Sequence, residues 1–431
     1  MTFLNAIPAL AKTAVIFAYI ILAIRKKMSL ANAFATGSLF LALLFTLPPI
    51  DTIQSILAGV FDPKTLALCT IIALILVLSS SLEECGQLRR LLDNFQGLVT
   101  PPRLNLSIFP ALIGLLPMPG GAVFSAPMVK ELGERFRLSP AQLSYINYWF
   151  RHIWEYWWPM YPGVLLATLL ADINLVLFIG VMIPFTVVVV WLGWLPVRKT
   201  RLVTANTGDG KGRKRVSPFI REITPIMVVI VLGLGLGWII SVAVPSLTVA
   251  KETGLVISLC VGIAMVWKMN HIPADRMIKL ATNRHMVNMV YMVAAILVFK
   301  QVLEDSGAVA EICDELLYLN IPFYLICGVL PFIVGILTGI TIAFVGSAFP
   351  ILLSLIDAHG NTGLMIPYMM LGLSCGFAGV LISPVHLCLL LSNEYFGTNL
   401  RAVYRFLWLP CLCIVLCAYI YFFLLRMVMA S

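Results

Sequence analysis

ILVLSSSLEECGQLRRLLD at 75–93 and ILVFKQVLEDSGAVAEICD at 296–314 lie 221 positions apart in the chain. They share Ile75/Ile296, Leu76/Leu297, Val77/Val298, Leu82/Leu303, Glu83/Glu304, Gly86/Gly307 and Asp93/Asp314. The same offset sets PALIGLL (110–116) on PFIVGIL (331–337), and one extra residue later Ser125-Ala126 meets Ser347-Ala348. Shared apolar composition can align apolar letters, but a polar L-E-x-x-G pattern held in register points to an internal repeat. The two copies differ in charge. Residues 83–103 carry Arg89, Arg90 and Arg103, whereas 304–324 carry no base and hold Glu304, Asp305, Glu311, Asp314 and Glu315.

Working outward, apolar residues make up 61% of the chain and charged residues 11%, with a mean hydropathy of +0.99. Soluble domains hold roughly 45–50% and about 25%, so lipid is the expected solvent. A spanning helix needs about 20 apolar residues. Such segments are read at 5–24, 30–48, 65–82, 106–129, 140–171, 173–196, 223–244, 253–268, 286–303, 321–356, 362–392 and 402–427. The polar, basic stretch 197–222, containing TANTGDGKGRKR, reads as a linker between halves. No cleavable signal peptide is expected. The ten cysteines are scattered, without CxxC or metal-ligand spacing. Neither metal nor cofactor is expected, and Cys411-x-Cys413 reads as packed or lipid-facing thiol.

Basic residues collect on the cytoplasmic side of membrane proteins. Let the linker be cytoplasmic, and let 106–129 and most of 321–356 be hairpins that return to the side they entered. All Lys and Arg except Lys12, Lys64, Arg151, Lys251, Lys300 and Arg426 then fall inside. This predicts ten spans, two re-entrant hairpins and both termini outside. An odd number of spans per half makes the repeats inverted. The fold class is therefore an all-α polytopic membrane protein of two inverted repeats, each of five spans and a hairpin. Its divisions are 1–103 (scaffold and arm), 104–196 (hairpin and transport helices), 197–222 (linker), 223–319 (second scaffold and arm) and 320–431 (second hairpin and transport helices). Inverted repeats are the architecture of alternating-access carriers, whose site lies between them near midplane.

The chemistry is expected at the breaks. Pro117-Met118-Pro119-Gly120-Gly121 interrupts an apolar run, and such backbone is tolerated at membrane depth where it is buried in protein or lines a cavity. Its free N–H and C=O groups could face a ligand. The second hairpin offers Thr338-Gly339-Ile340-Thr341, with Ser347 matching Ser125; each hydroxyl could instead bond its own helix. In NYWFRHIWEYWWPMYPG (147–163), Arg151, His152 and Glu155 lie about 16–23 Å beyond Pro140 by helical rise. Ionisable groups at that depth are usually functional. Arg151 and Glu155 stand four apart and share a helical face. Arg151 suits a carboxylate or similar anion, and Glu155 or His152 a coupling proton. The alternative is a structural Arg151–Glu155 pair in an aromatic belt with Trp149, Trp154, Trp157 and Trp158. In VLISPVHLC (380–388), Pro384 matches Pro159; Ser383 and His386 flank it, with His386 as ligand or packed histidine. Glu83 and Glu304 read as span ends capped by Gly86 and Gly307, leading into interfacial arms.

LPMPGGAVFSAP (116–127), FRHIWEYWWPMYPG (150–163) and the two-half arrangement resemble the integral-membrane family catalogued as domain of unknown function 401. That family is grouped with the ion transporter superfamily, which includes gluconate, citrate, lactate and dicarboxylate carriers, arsenite permeases and sodium/proton antiporters. The resemblance implies an inner-membrane, elevator-type homodimer. Where sodium/dicarboxylate members carry Ser-Asn-Thr at the tips, this chain has Pro119-Gly120-Gly121 and Gly339-Ile340-Thr341, so no ligand is carried over from that signature.

The expected function is a secondary active transporter of a small organic anion, driven by H⁺ or Na⁺, in the cytoplasmic membrane. The substrate-binding candidates are Pro119, Gly120, Gly121, Ser125, Arg151, Thr338, Gly339, Thr341, Ser347 and Ser383. The coupling candidates are His152, Glu155 and His386. A proton/cation antiporter is the first rival, and a channel the second. No zinc motif, nucleophile elbow or phosphate loop appears, so no enzyme is expected. No nucleic-acid partner is expected either, because the net charge of +9 is accounted for by the cytoplasmic loops.

Overall fold

The computed structural model describes residues 6–95, 102–118, 120–196, 216–319, 321–358 and 360–429. Among them the chain is helical throughout, without strands. Among the described residues, seven helical segments are long and apolar enough to cross a membrane: Pro63–Glu84, Leu175–Trp194, Val216–Ala243, Ala250–Met269, Ala274–Asp305, Thr362–Leu381 and Leu400–Met429. The protein is a multi-pass membrane protein. The remaining expected spans are shorter or broken helices.

In chain order the first helices are α1 (Ala9–Arg25), α2 (Leu30–Leu44), α3 (Pro49–Phe61), α4 (Pro63–Glu84) and α5 (Gln87–Phe95). Next come α6 (Pro102–Gly114), α7 (Ala122–Arg135), α8 (Pro140–Arg151), α9 (Pro162–Leu170) and α10 (Leu175–Trp194). Beyond the linker lie α11 (Val216–Ala243), α12 (Ala250–Met269), α13 (Ala274–Ala281), α14 (Arg284–Asp305) and α15 (Ala308–Tyr318). Then follow α16 (Phe323–Thr338), α17 (Thr341–Ala358), α18 (Met365–Leu381), α19 (Leu387–Phe396) and α20 (Leu400–Met429). The bounds of α4 and α14 differ by 221 at both ends, the offset read from the sequence.

Two sequence boundaries shift. The linker was expected to run to 222, but α11 already begins at Val216; residues 197–215 lie outside the described residues. Helix α3 falls between the expected spans 30–48 and 65–82, where no segment was read. Pro49 occupies its first turn, where the missing N–H costs nothing. This helix is polar inside and apolar outside. Thr52, Ser55 and Gly59 are buried, whereas Ile50, Ile53, Leu57 and Phe61 form an exposed stripe. That inversion of the soluble pattern is what a helix facing lipid requires.

The helices sort by packing. Helix α11 lies along α12, α12 along α4, and α14 against α2, α3 and α4. In a second group, α6 packs on α7 and α8, α19 on α7 and α8, α16 on α17 and α18, and α18 on α20. Contacts of α17 with α14 and α15, and of α9 with α4, join the groups. Helix α18 is buried from Ile366 through Leu381 and forms the centre of the second group. Close approach there depends on small residues: a Cβ on Gly335 would collide with the Gly376 carbonyl, and one on Gly379 with that of Phe332. Lipid offers no hydrophobic drive for helix association, so such backbone contact is how membrane helices gain dispersion energy.

Helices α4 and α14 end as expected. Gly86 (φ 64°) and Gly307 (φ 71°) adopt left-handed backbone, and their N–H groups donate to the carbonyls of Glu83 and Glu304. Glu304 also pairs with Lys300 at 2.7 Å. The arms that follow are tied down by polar contacts. On α5, Gln87 donates to the Glu222 carbonyl (2.9 Å), and Arg90 reaches Asn270 (2.6 Å) and Glu222 (3.3 Å). On α15, Glu315 accepts from the Ala9 and Leu10 amides, capping α1, and Glu311 pairs with buried Lys12 at 3.5 Å.

Candidate functional site

Four interruptions of helix meet in the second group. Helix α6 ends at Gly114 and α7 starts at Ala122, and the two pack together. Helix α16 ends at Thr338, Gly339 turns the chain at φ 66°, and α17 starts at Thr341. Helix α8 stops at Arg151, with turns to Tyr161 before Pro162 opens α9. Helix α18 stops at Leu381, and His386 is the N-cap residue of α19. Residue Pro119, one of the candidates, lies outside the described residues.

A helix end leaves carbonyls without partners, and lipid cannot satisfy them. Here the facing break supplies donors. The indoles of Trp154 and Trp158 donate to the carbonyls of Ala111 (2.8 Å) and Leu115 (2.9 Å). The Tyr161 hydroxyl donates to that of Gly114 (2.6 Å), and Arg151 Nη2 to that of Met118 (2.6 Å). At the second tip, the Ser383 hydroxyl donates to Ile336 (2.7 Å) and His386 Nδ1 to Gly339 (2.9 Å). These carbonyls were expected to be free for a ligand. They are instead occupied by side chains of the broken helices. Two of the tryptophans do not face lipid as an interfacial belt would: Trp149 is 1% exposed and donates to the Val189 carbonyl, and Trp158 is buried too, whereas Trp154 and Trp157 are half-buried.

The ionisable residues lie between the tips. Arg151 (2% exposed) packs its guanidinium against Gly121, whose missing Cβ makes room for it. Its Nε has no hydrogen-bond partner among the described residues. Glu155 (8% exposed) accepts from the Thr341 hydroxyl (3.3 Å) and lies 3.6 Å from His152 Nε2. Read as a helical i,i+4 pair, Arg151 and Glu155 should share a face. The helix stops at Arg151, so they diverge: Arg151 reaches the first tip and Glu155 the second. No ion pair joins them among the described residues.

His152 and His386 come together from the two halves. His152 Nδ1 faces the Tyr148 carbonyl at 2.6 Å, and the two Nε2 atoms are 3.2 Å apart. His386 is therefore neither isolated nor merely packed on an apolar face. Cys388 completes a cluster: its sulfur and a nitrogen from each ring all lie within 4.8 Å of one another. The scattered cysteines gave no sign of this. The only local signal was His386-x-Cys388 directly after the Pro384 break.

The hydroxyl candidates divide. Ser383 and Thr341 bond within the site. Thr338 and Ser347 turn back to the carbonyls of Val334 (2.8 Å) and Ala343 (2.7 Å) on their own helices. Ser125 donates to Asn147 Oδ1 (2.6 Å), and the Asn147 amide donates to the Ala122 carbonyl (2.8 Å) and Ser392 (2.9 Å). Ser144 donates to Asn393 (2.6 Å). This buried network, unread in the sequence, joins the first tip and α8 to α19. Gly120 takes a left-handed turn (φ 74°). A cavity of about 370 Å³ lies apart from the tips, between α4, α9 and the ends of α11 and α12, with Lys64, Thr168, Asp172, Trp238 and Lys251 in its wall. It reaches Leu165 on α9, one turn from Pro162.

No curated protein matches the chain. A family pattern matches nearly all of it, covering both tips and both broken helices. From residue 9 to residue 424, the chain belongs to the family described as Protein of unknown function (DUF401).

Proposed function

We propose that the chain is a secondary active transporter that carries a small organic anion across the cytoplasmic membrane, coupled to H⁺ or Na⁺. The observation that carries this reading is the meeting of two hairpin tips and two broken helices around buried Arg151. A buried guanidinium whose Nε has no partner among the described residues keeps donor capacity for a carboxylate, and burial makes that pairing selective. Breaks at membrane depth in two matched halves are the construction of alternating-access carriers.

In this reading, 1–103 and 223–319 form the scaffold, and 104–196 and 320–431 the mobile unit, in keeping with the two packing groups. The halves are inverted repeats, supported by the common bounds of α4 and α14 and by the glycine ends at Gly86 and Gly307. The tips are re-entrant, since 13 residues of α6 rise only about 20 Å. The cavity beside α9 is the outer vestibule; Lys64 and Lys251 in its wall were read as loop residues but stand in the first turns of α4 and α12, helix ends that the charge distribution assigns to the exterior, as it does both termini. An elevator-type homodimer within the ion transporter superfamily fits this arrangement.

Because only a ligand that binds the folded state raises apparent stability, a thermal-shift screen tests the reading. Purified protein would be melted with lactate, succinate, citrate and gluconate, each with and without Na⁺. The expected result is a rise with at least one acid, absent in Arg151→Gln. No rise with any acid counts against an organic-anion site.

The His152–Glu155–His386 cluster favours a second reading, a proton/cation antiporter. Na⁺ movement driven by a pH gradient in proteoliposomes, with no organic acid present, would select it.

A further inference from the structure

We propose that His152, His386 and Cys388 form a binding site for one divalent cation of the zinc class where the two broken helices meet. Two backbone carbonyls fix the proton positions on the histidines. A backbone carbonyl can only accept, so His152 Nδ1 facing the Tyr148 oxygen and His386 Nδ1 facing the Gly339 oxygen must both carry hydrogen. Each neutral ring then presents a bare Nε2. Those two bare nitrogens point at one another across 3.2 Å. Two lone pairs repel at that distance unless a positive species lies between them.

A tetrahedral zinc ion with Zn–N bonds of about 2.0–2.1 Å holds its nitrogens about 3.3 Å apart. The observed spacing is close to that value. Carbonyls on both Nδ1 atoms are also the usual outer partners of metal-bound histidine, where they fix tautomer and ring orientation. The third group is the Cys388 thiol, and Glu155 Oε1 stands beside the cluster, 3.6 Å from His152 Nε2. Two imidazoles and a thiolate suit zinc, cobalt or copper rather than magnesium or calcium. A proton shared by the histidines would satisfy the nitrogens alone. It would not explain why the Cys388 sulfur also lies within 4.8 Å of a nitrogen on each ring. His152 comes from the first half and His386 and Cys388 from the second, so the ion would join them. The inference concerns binding and stands whether or not the chain carries an organic anion.

The test uses the full chain in detergent or nanodiscs, with any affinity tag removed and the protein first dialysed against chelator. Co²⁺ is the spectroscopic probe and Zn²⁺ the competitor. The expected result is one Co²⁺ per chain with a thiolate-to-cobalt charge-transfer band, displaced by stoichiometric Zn²⁺. Cys388→Ser should abolish that band while leaving weaker binding, and His386→Gln should weaken Zn²⁺ binding by more than about 10-fold. His285→Gln, on the exposed first turn of α14, should change neither. Absence of the band in the wild-type protein would overturn the proposal without any variant having to fold. So would stoichiometric binding unaffected by both Cys388→Ser and His386→Gln.

Discussion

His152 Nε2 lies 3.2 Å from His386 Nε2, although the residues are 234 positions apart. Each is fixed by a carbonyl: His152 by Tyr148 in the last turn of its own helix, and His386 by Gly339 at the second tip. The pair thus ties the end of α8 to the second hairpin tip. Movement of either tip would have to break or carry this contact, which makes the pair a natural point for coupling the halves.

Gly121 should be needed for function more than for folding. A Cβ there would occupy the space of the Arg151 guanidinium, the movable end of a long side chain. Gly121→Ala should therefore cost no more than about 2 kcal/mol in stability yet abolish any carboxylate-dependent thermal shift. Gly180→Ala, where nothing lies within 4 Å, should alter neither. Melting both variants with and without the acid checks this.

Asn147 should be a stability hub. It bonds Ser125, the Ala122 carbonyl and Ser392 inside a buried region. Asn147→Leu would remove all three bonds, leaving Ser125 and the Ala122 carbonyl only their long mutual contact (3.4 Å), at roughly 1–3 kcal/mol for each buried group left unsatisfied. Chemical unfolding should show a loss well above that of Thr224→Val, whose hydroxyl bonds only its own helix at an exposed position.

Gly86 and Gly307 should respond alike. Both adopt left-handed backbone, and at Gly307 nothing lies within 4 Å of an added Cβ. The cost of Gly307→Ala is then conformational, about 1–2 kcal/mol, and Gly307→Asn should recover part of it. Melting temperatures of the two variants give the comparison; equal values would refute the left-handed cap.

Lys12 and Glu311 should be unequal partners. Lys12 is 3% exposed and Glu311 54%. Glu311→Gln strands a buried ammonium and should destabilise markedly. Lys12→Met leaves only an exposed carboxylate and should be near neutral. Unfolding of both variants at low and high salt checks the asymmetry.

Periodicity made much of this architecture readable. Gly86 and Gly307 marked two span ends because glycine there has one backbone use, and Pro117–Gly121 marked a break because proline and glycine cannot continue a helix. What escaped was what depends on three dimensions. Cys388 looked like another apolar-run cysteine because its partner His152 is over 200 residues away. Arg151 and Glu155 looked like a pair because spacing assumes a continuous helix, and that helix ends between them. Helix α3 was missed because its inward face is small and polar, the reverse of the pattern used to find helices in soluble domains.

The most direct test of the account is uptake by proteoliposomes under an inward H⁺ or Na⁺ gradient, with labelled lactate, succinate, citrate and gluconate supplied singly. The account predicts gradient-dependent accumulation of at least one acid, reduced more than about 10-fold in Arg151→Gln and partly kept in Arg151→Lys, which preserves charge but not the planar fork. Accumulation by Arg151→Gln with unchanged KM would contradict it.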